Sequence, residues 1–428
     1  MIRDQYRFPW TNKDIYKFVH WLENQEFFVF FHSNQFQDGY SQFEATAAIG
    51  NRGEIKLKDT NHSFEALNRF RNKVQDTVFG YLSYDLKNEL FSTSSANYDG
   101  LYFDDLRFFQ AEKIIKISAS EICFHYASQN EALKDFQKIV GTEIPANKPL
   151  DIQIHARMNK REYLDRVNQL KKHIKRGDLY EANFCQEFYT EVSSLPLAQT
   201  YQKLNEISLA PFSVFMKMQN QVLISASPER FVQKKGRNVI SQPIKGTSKR
   251  SLDSQEDRIL IEKLENNEKE RAENIMIVDL VRNDLSRIAE KGSVQVKELC
   301  KVYSFKQVHQ MISTVEALAK PSISSENIIK DLFPMGSMTG APKKSALELI
   351  EKLEISKRGL YSGAVGYITE SGDFDFNVVI RSILYNSQSN YLSYSVGSAI
   401  TDGAQAEQEY EECLIKAKAM KDVLTGIV

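Results

Sequence analysis

The sequence has almost no net charge, because its 428 residues include 55 Lys and Arg against 56 Asp and Glu. It therefore offers no general basic field for nucleic acid or for an anionic membrane surface. It also lacks an apolar run of the roughly 18–20 residues that cross a bilayer, and its start lacks the apolar segment of a signal peptide. These absences predict a cytoplasmic protein with no nucleic-acid partner and no membrane partner.

Cysteine is scarce, and the four cysteines at positions 123, 185, 300 and 413 form no CxxC pair. Neither a zinc site nor a disulfide framework is indicated, and scattered thiols fit a reducing compartment. The sequence also has no GxGxxG, HExxH or GxSxG motif. Dinucleotide-dependent hydride transfer, zinc proteolysis and hydrolysis by a nucleophile-elbow serine are therefore unsupported.

Residues 141–149 carry two prolines and interrupt the apolar periodicity. We place a boundary there, between an N-terminal region (1–141) and a second region (151–428), which we expect to pack as one body. The second region opens with a predicted helix, which Asn159 caps with Glu162 three positions on and Gly177 ends. Its apolar stripe consists of Tyr163, Val167, Leu170 and Ile174.

Two apolar stretches, 222–225 and 239–241, read as strands, with Lys235 and Gly236 between them as a hairpin turn. Glu229 precedes Gly236 by 236 − 229 = 7 residues, and Lys245 follows it by 245 − 236 = 9. Antiparallel pairing would return the two side chains to the same end of the hairpin. The sequence thus predicts that an acid and an amine lie close together.

Two pairs of carboxylates share one spacing: Glu270 with Glu273, and Glu409 with Glu412. Each pair occupies one face of a predicted helix, and Lys416 extends the second face. Such pairs are most often solvated helix faces. If the two faces meet, however, four like charges require a cation, and all-oxygen ligands favour Mg²⁺.

The glycine-containing segment 336–343 (GSMTGAPK) is not a phosphate loop, because the glycine spacing is wrong and Pro342 lacks a backbone donor. Its backbone N–H groups and Thr339 could hold an anion such as a carboxylate. A structural loop is an equally good interpretation of its composition.

The order of the motifs resembles that of the chorismate-utilising enzymes, which include anthranilate synthase, aminodeoxychorismate synthase, isochorismate synthase and salicylate synthase. The resemblance spans residues 159–424. It rests on RGD (176–178), SPERF (227–231), PIKGT (243–247), VDLVRND (278–284), GSMTGAPK (336–343), RGLYSG (358–363), IR (380–381) and the last glutamate pair. It implies an α+β fold in which two orthogonally packed, largely antiparallel sheets are flanked by helices in α/β/β/α layers.

The resemblance also implies a set of site residues. Glu273 and Glu412 would contact Mg²⁺, with Glu270 and Glu409 in support, and the metal would hold the ring carboxylate of chorismate. Gly246 and Thr247 would help to hold that carboxylate. The residues implied for binding the enolpyruvyl carboxylate are Tyr361, Arg381, the backbone at Gly397 and, as a further candidate, Lys416.

Position 245 separates the subfamilies, since the aminodeoxychorismate-forming members resemble this chain in carrying Lys where anthranilate synthases carry Ala. The implied reaction is attack of Lys245 on C2 of chorismate while Glu229 protonates the leaving C4 hydroxyl, followed by addition of ammonia. A lone lysine at a strand end is otherwise usually a solvated charge.

Two further positions bear on the choice of reaction. Gln310 stands where anthranilate synthases have the His associated with pyruvate elimination, and Glu181 stands where isochorismate synthases have the Lys that activates water.

Residues 30–33 (FFHS) resemble a segment that lines a tryptophan pocket in relatives. Because the sequence ends soon after the last glutamates, we expect ammonia to come from a separate glutamine amidotransferase subunit. The alternatives are the first component of anthranilate synthase and a non-catalytic regulator that binds chorismate or tryptophan.

Overall fold

A computed structural model of the protein describes residues 3–36, 39–40, 44–59, 61–146, 148–305 and 308–427. Within these ranges the chain forms eleven α-helices. They are α1 (Ile15–Glu23), α2 (Ser63–Val74), α3 (Lys87–Phe91), α4 (Gln129–Val140), α5 (Lys160–Arg176), α6 (Leu197–Ser208), α7 (Ser254–Glu265), α8 (Glu268–Ile288), α9 (Ser325–Leu332), α10 (Lys343–Leu353) and α11 (Ala406–Leu424). None of the helices in these ranges is long and apolar enough to cross a membrane.

The strands of the described residues are β1 (Asp4–Pro9), β2 (Phe27–His32), β3 (Ala45–Ile49), β4 (Gly53–Leu57), β5 (Val78–Leu82), β6 (Leu106–Gln110), β7 (Lys113–Ile117), β8 (Glu121–Tyr126), β9 (His155–Ala156), β10 (Glu181–Glu191), β11 (Phe212–Met218), β12 (Gln221–Ser227), β13 (Arg230–Lys235), β14 (Asn238–Gln242), β15 (Ile244–Lys249), β16 (Gln295–Ser304), β17 (Val308–Leu318), β18 (Gly340–Ala341), β19 (Ala364–Ile368), β20 (Phe374–Val378), β21 (Ser382–Asn386) and β22 (Tyr391–Ile400).

These strands form two sheets, and every pairing between them is antiparallel. The first sheet has the order β1-β8-β7-β3-β2-β11-β12-β21-β22-β10-β18, with β9 paired to β10. The second has the order β15-β17-β14-β13-β20-β19-β5-β6-β4, with β16 paired to β17. The predicted α+β class with two antiparallel sheets is confirmed.

The alternation of side chains along β2 shows how the layers stack. Phe28 and Phe30 enter a buried cluster with α1, α4, α5, α6 and α11, whereas Phe27 and Val29 point into a second buried cluster. In that second cluster Phe27 packs edge to face on Phe109 of the other sheet, with 4.7 Å between ring centroids. The first sheet therefore has helices on one face and the second sheet on the other.

Strands from both sides of residues 141–150 enter both sheets. In the first sheet β2 pairs with β11, and in the second β5 pairs with β19. The interrupted segment lies between α4 and β9, and Asn147 within it lies outside the described residues. The two regions on either side of this segment therefore share their sheets.

The helix predicted from residue 159 is confirmed as α5. Asn159 accepts a hydrogen bond from the Glu162 N–H, the Glu162 carboxylate accepts one from the Asn159 N–H, and Gly177 ends the helix with φ 87°. All four predicted stripe residues are buried. Local capping and periodicity were sufficient to define this helix.

The structure confirms the predicted hairpin turn at Gly236, but the first of the two strands predicted to flank it, residues 222–225, belongs to the other sheet. The turn at Gly236 joins β13 to β14, whereas residues 222–225 lie in β12, which belongs to the first sheet. The chain passes from the first sheet to the second between Ser227 and Arg230, at Pro228. Arg230 pairs with Gln242, so Glu229 and Lys245 do lie at the same end of the hairpin.

Candidate active site

A cavity of about 430 Å³ lies where the two sheets meet α8 and α11. Both sheets contribute to its wall, through Asn183 and Gly397 from the first and Lys245 and Gln310 from the second. All but one of the site residues predicted from sequence line it: Glu229, Lys245, Gly246, Thr247, Glu270, Glu273, Tyr361, Arg381, Gly397, Glu409, Glu412 and Lys416.

Lys245 lies on β15 and lines this cavity, and its amine contacts the buried carboxylate of Glu181. Its Nζ donates a hydrogen bond to Glu181 Oε1 at 3.0 Å. The side chains are 12% and 1% exposed, respectively, so the pair is almost completely shielded from water. Burial acts to lower the pKa of Lys245, but Glu181, Glu273 and Glu229 together raise it. In the free protein the amine is therefore held as an ammonium ion.

Glu229 occupies the turn between β12 and β13 and faces the same space. The Ser337 hydroxyl donates a hydrogen bond of 2.6 Å to Glu229 Oε1. Burial raises the pKa of Glu229 to about 7, against the lowering effects of Ser337 and Lys245. A carboxyl with this pKa can hold a proton near neutral pH and give it to a leaving group.

The two predicted carboxylate pairs lie on α8 and α11, which confirms that both segments are helical. Asn267 caps α8 by accepting a hydrogen bond from the Glu270 N–H at 3.1 Å. Lys269 belongs to α8, and its Nζ lies 3.8 Å from Glu273 Oε1 on the same helix and 3.9 Å from Glu409 Oε1 on α11. One lysine thus lies between carboxylates of the two pairs.

Burial and mutual repulsion set the charges of these carboxylates. Burial raises the pKa of Glu273 to about 7, and burial together with Glu412 raises the pKa of Glu409. Burial opposes ionisation of Glu412 as well, but Lys416, whose Nζ lies 2.6 Å from Glu412 Oε1, brings its pKa below the usual value. Burial thus opposes ionisation of all three carboxylates, and the pairing with Lys416 overcomes this effect at Glu412.

Carboxylate oxygens are the donors that Mg²⁺ prefers, so the chemistry of this set fits that ion. In the described ranges, however, no three or more His, Cys, Asp or Glu side chains converge closely enough to hold a metal. Lys269 lies between Glu273 and Glu409. The donors fit Mg²⁺, and the side chains would have to close around it.

Polar groups also converge in the wall of the cavity around Gly397 and Lys416. Lys416 Nζ donates to the Gly397 carbonyl at 2.9 Å, and Arg381 Nη1 donates to the Lys416 carbonyl at 3.2 Å. A Cβ at Gly397 would lie 2.5 Å from Asn183 Oδ1, so the close packing there requires glycine. Guanidinium and ammonium groups at one wall of a cavity can bind a carboxylate.

Thr339, predicted as a substrate contact, does not line this cavity. It is completely buried, and its hydroxyl donates to the carbonyls of Met335 and Gly336, each at 3.2 Å. Ser337 and Met338 of the same segment line the cavity instead. The structure does not bring Thr339 to the cavity, because Gly336–Met338 form a 3₁₀ turn and the Thr339 hydroxyl is directed back to the backbone.

Sequence reasoning did not identify Ser337, Asn183 or Lys269 as parts of the site. Lys269 precedes Glu273 by four residues on a helix, a spacing that could have suggested contact. Ser337 lies in a segment that the sequence had already singled out. Nothing in the sequence signals Asn183, which reaches the cavity only because β10 lies beside β22.

A second, smaller cavity of about 70 Å³ is lined in part by Phe31, His32 and Ser33. These residues belong to the segment that resembles the wall of a tryptophan pocket. Burial lowers the pKa of His32 to about 4, so this imidazole is neutral at physiological pH.

Comparison with known proteins gives one family. A family profile described as chorismate binding enzyme matches residues 25–422. Component 1 of aminodeoxychorismate synthase from Klebsiella aerogenes is 38% identical over 261 residues, which cover 61% of this chain and 57% of that protein. The chain thus spans little more than half of that relative's length.

Two further relatives align over more of their length. Component 1 of aminodeoxychorismate synthase from Bacillus subtilis strain 168 is 31% identical over 381 residues, or 86% of this chain and 79% of that protein. Among solved structures, anthranilate synthase component I from Streptococcus pneumoniae TIGR4 is 26% identical with a TM-score of 0.75, covering 87% of this chain and 91% of its own.

Proposed function

The chain belongs to the family of chorismate binding enzymes, and we propose that it uses ammonia to convert chorismate to 4-amino-4-deoxychorismate. The observation that carries this proposal is that Lys245 and the protonatable carboxyl of Glu229 line the same cavity. Relatives named for aminodeoxychorismate synthesis support the choice of product.

In the proposed first step the uncharged amine of Lys245 forms a bond to C2 of chorismate. The ring double bonds shift from C1=C2 and C5=C6 to C1=C6 and C4=C5, and the C4–O bond breaks. Glu229 gives its proton to the departing oxygen, which leaves as water. The product of this step is a ring joined to Lys245 through C2, with Glu229 ionised.

In the second step ammonia adds to C4 and the double bonds return to C1=C2 and C5=C6. The C2–N bond breaks, and its electron pair returns to the amine of Lys245. The new C4 ammonium gives a proton to Glu229, which restores the acid. The sum is chorismate plus ammonia giving 4-amino-4-deoxychorismate plus water.

We assign Glu273 and Glu412 as Mg²⁺ ligands, with Glu270 and Glu409 in support. When bound, Mg²⁺ would neutralise these carboxylates and fix the ring carboxylate of the substrate. Gly246 and Thr247 line the same cavity and would hold the same carboxylate. Arg381, Tyr361, Lys416 and the backbone at Gly397 would bind the enolpyruvyl carboxylate.

The term component 1 in the relatives' names implies a second component, and we propose a glutamine amidotransferase subunit as the source of ammonia. We also propose a cytoplasmic location, which the four buried free cysteines suit.

A product assay tests the proposed reaction. With chorismate, Mg²⁺ and a high concentration of ammonium, the purified chain is expected to form a non-aromatic amino product that chromatography separates from anthranilate. Boiled protein is the control. Fluorescent anthranilate as the main product would instead favour anthranilate synthesis, the reaction named for the Streptococcus relative. Binding of chorismate without any turnover would favour a regulator.

Replacing Glu273 with Gln is expected to remove most of the stabilisation that Mg²⁺ gives to the protein. A ligand at a hundred times its dissociation constant stabilises the folded state by about 2.7 kcal/mol, so Mg²⁺ is expected to raise the melting temperature of the unmodified chain. Thermal unfolding at increasing Mg²⁺ measures this rise without reference to activity. The expected result for Glu273→Gln is a small rise or none.

Glu411→Gln is the matched control for the metal experiment. Glu411 is next to Glu412 on α11, but it is exposed and its carboxylate pairs with Lys160 at 3.1 Å. Its substitution is expected to leave the response to Mg²⁺ unchanged. A Glu273→Gln protein that responds to Mg²⁺ as the unmodified chain does would contradict the assignment of Glu273 as a ligand.

A further inference from the structure

Glu181 is a buried carboxylate that the steps above leave without a role. It is 1% exposed, and its Oε1 accepts the hydrogen bond from Lys245 Nζ at 3.0 Å. Its second oxygen, Oε2, is buried and has no hydrogen-bond partner in the described part of the chain. A buried carboxylate with one free oxygen is costly to maintain, and such groups are often functional.

The backbone fixes this carboxylate in place. Glu181 is the first residue of β10 and pairs with Ala341 of β18. A Cβ at Gly340 would lie 2.1 Å from the Glu181 carbonyl oxygen, so the turn can pack this closely only with glycine at that position. The segment 336–343 thus supports Glu181 through Gly340, as it supports Glu229 through Ser337.

The reaction requires a proton acceptor at Lys245. An ammonium ion has no lone pair with which to attack carbon, and the neighbouring carboxylates keep Lys245 in this form. Because both side chains of the ion pair are largely shielded from water, bulk solvent is a poor acceptor for the proton. The acceptor must therefore lie within the site.

We propose that Glu181 is the base that takes the proton from Lys245 before attack and the acid that returns it after the amine is expelled. This proposal rests on the proposed function, since it concerns the same covalent step. The Nζ–H bond breaks and an Oε–H bond forms, which converts the ion pair to a neutral amine and a neutral carboxyl. When the C2–N bond breaks in the second step, the proton passes back and both charges are restored.

The other carboxylates that face Lys245 are less suited to this role. Glu229, from the turn before β13, accepts the hydrogen bond of Ser337 and must itself arrive protonated to release the C4 oxygen. Glu273 on α8 and Glu412 on α11 face the amine from the side assigned to Mg²⁺. Among the described residues, Glu181 is the carboxylate in hydrogen-bond contact with Nζ.

Glu181→Gln tests the proposal through the rate of adduct formation at different pH values. The full-length protein is mixed with chorismate and Mg²⁺ without ammonia, quenched at short times, and examined by intact-protein mass spectrometry for the mass of chorismate less one water. At pH 7 we expect the variant to form the adduct on the order of a hundredfold more slowly, as for loss of a general base.

The pH dependence distinguishes a base from a structural contact. In the variant, only Lys245 side chains that have lost their proton to solvent can react. The ratio of the variant's rate to the rate of the unmodified protein is therefore expected to rise about tenfold for each unit increase in pH. Taking the ratio of the two rates at each pH cancels the shared contribution of Glu229. The concentration of chorismate giving half-maximal rate is expected to stay within about twofold, because Glu181 carries no assigned substrate contact.

Two other variants complete the design. Glu181→Asp keeps a carboxylate and is expected to retain the pH dependence of the unmodified protein at a reduced rate. It also provides the decisive comparison if Glu181→Gln fails to fold. Glu191→Gln, at the exposed far end of β10, is the control and should leave the rate unchanged.

The outcomes separate this proposal from the proposed function. If the unmodified protein makes product but never shows an adduct, the covalent reaction itself is wrong. If it shows the adduct and Glu181→Gln forms it at the same rate, or with a rate ratio that does not change with pH, only the role of Glu181 is overturned. A Glu181→Asp protein with the pH dependence expected for Glu181→Gln would overturn it as well.

Discussion

Replacing Lys245 with alanine is expected to abolish the covalent adduct and to lower the rate of chorismate amination on the order of a thousandfold. The expected loss is large because both proposed steps pass through a bond between this amine and C2. Intact-protein mass spectrometry measures the adduct, and chromatography of the amino product measures the rate. Binding of chorismate should persist, because the groups assigned to the two carboxylates are unchanged.

The same substitution is expected to destabilise the protein, for an independent reason. It leaves Glu181 buried without the ammonium partner that lies 3.0 Å away, and breaking a buried ion pair costs about 3 kcal/mol. The double variant Lys245→Ala with Glu181→Gln removes both charges and should recover most of the free energy of unfolding. It should recover none of the activity, which separates loss of chemistry from loss of fold.

Lys235 provides the control for Lys245. It lies at the turn end of the same hairpin, is exposed, and is remote from the cavity. Lys235→Ala is expected to keep the adduct and the rate. Full amination activity in the Lys245→Ala protein would show that ammonia reaches C4 without a covalent intermediate, which would contradict the proposed reaction.

The parts of the fold that sequence could predict are those fixed by neighbours along the chain. Helix α5 was predicted with its cap, its stripe and its last residue, because Asn159, Glu162 and Gly177 act within one turn of each helix end. The glutamate pairs of α8 and α11 were predicted for the same reason, since a three-residue spacing defines one helical face.

The errors arose where one strand could join either of two sheets. Residues 222–225 alternate as a strand should, but alternation does not say which sheet the strand enters. At Pro228 the chain leaves the first sheet, and the strand that pairs across Gly236 begins only at Arg230. The nearness of Glu229 and Lys245 was still predicted correctly, because it depends on the register around the turn.

The interactions around Lys245 depend on tertiary contacts that no local pattern encodes. Glu181 is 64 residues away in sequence and reaches the amine because β10 and β15 face the same cavity from different sheets. The two helices that carry the glutamate pairs are also brought to the cavity by different sheets. Helix α8 packs beside β15 and β17 of the second sheet, whereas α11 packs on β22 of the first. The resemblance to a family indicated these residues, but the contacts between them required the fold.

Two buried carboxyls near Lys245, those of Glu229 and Glu181, lie in different environments and have different proposed roles in proton transfer. Glu229 is buried, accepts a hydroxyl hydrogen bond and has a pKa raised to about 7, which suits an acid. Glu181 is equally buried, and its Oε1 accepts a hydrogen bond of 3.0 Å from Lys245 Nζ. In the proposed reaction the first carboxyl donates a proton and the second accepts one.

Glu229→Gln is expected to lower amination by about a hundredfold or more and, at pH 8, to raise the stability of the protein. In the unfolded chain this carboxyl loses its proton near its ordinary pKa of 4.5, whereas in the folded protein its pKa is raised to about 7. The folded state therefore binds more protons between these values, and its stability falls as pH rises from about 4.5 to about 7. The difference of about 7 − 4.5 = 2.5 corresponds to about 3 kcal/mol.

Glutamine carries no charge, so the variant avoids this loss while still accepting the hydrogen bond of Ser337. Denaturant unfolding should show a stabilisation of the order of 3 kcal/mol at pH 8 that shrinks towards zero near pH 4.5. Glu348→Gln, an exposed position on α10, should show no such change. The rate of the unmodified protein should fall as pH rises through about 7, because the proposed reaction uses the acid form of Glu229 to release the C4 oxygen. A Glu229→Gln protein that is less stable than the unmodified chain at pH 8 would show that the buried carboxylate is compensated in the fold and is not held protonated as a catalytic acid.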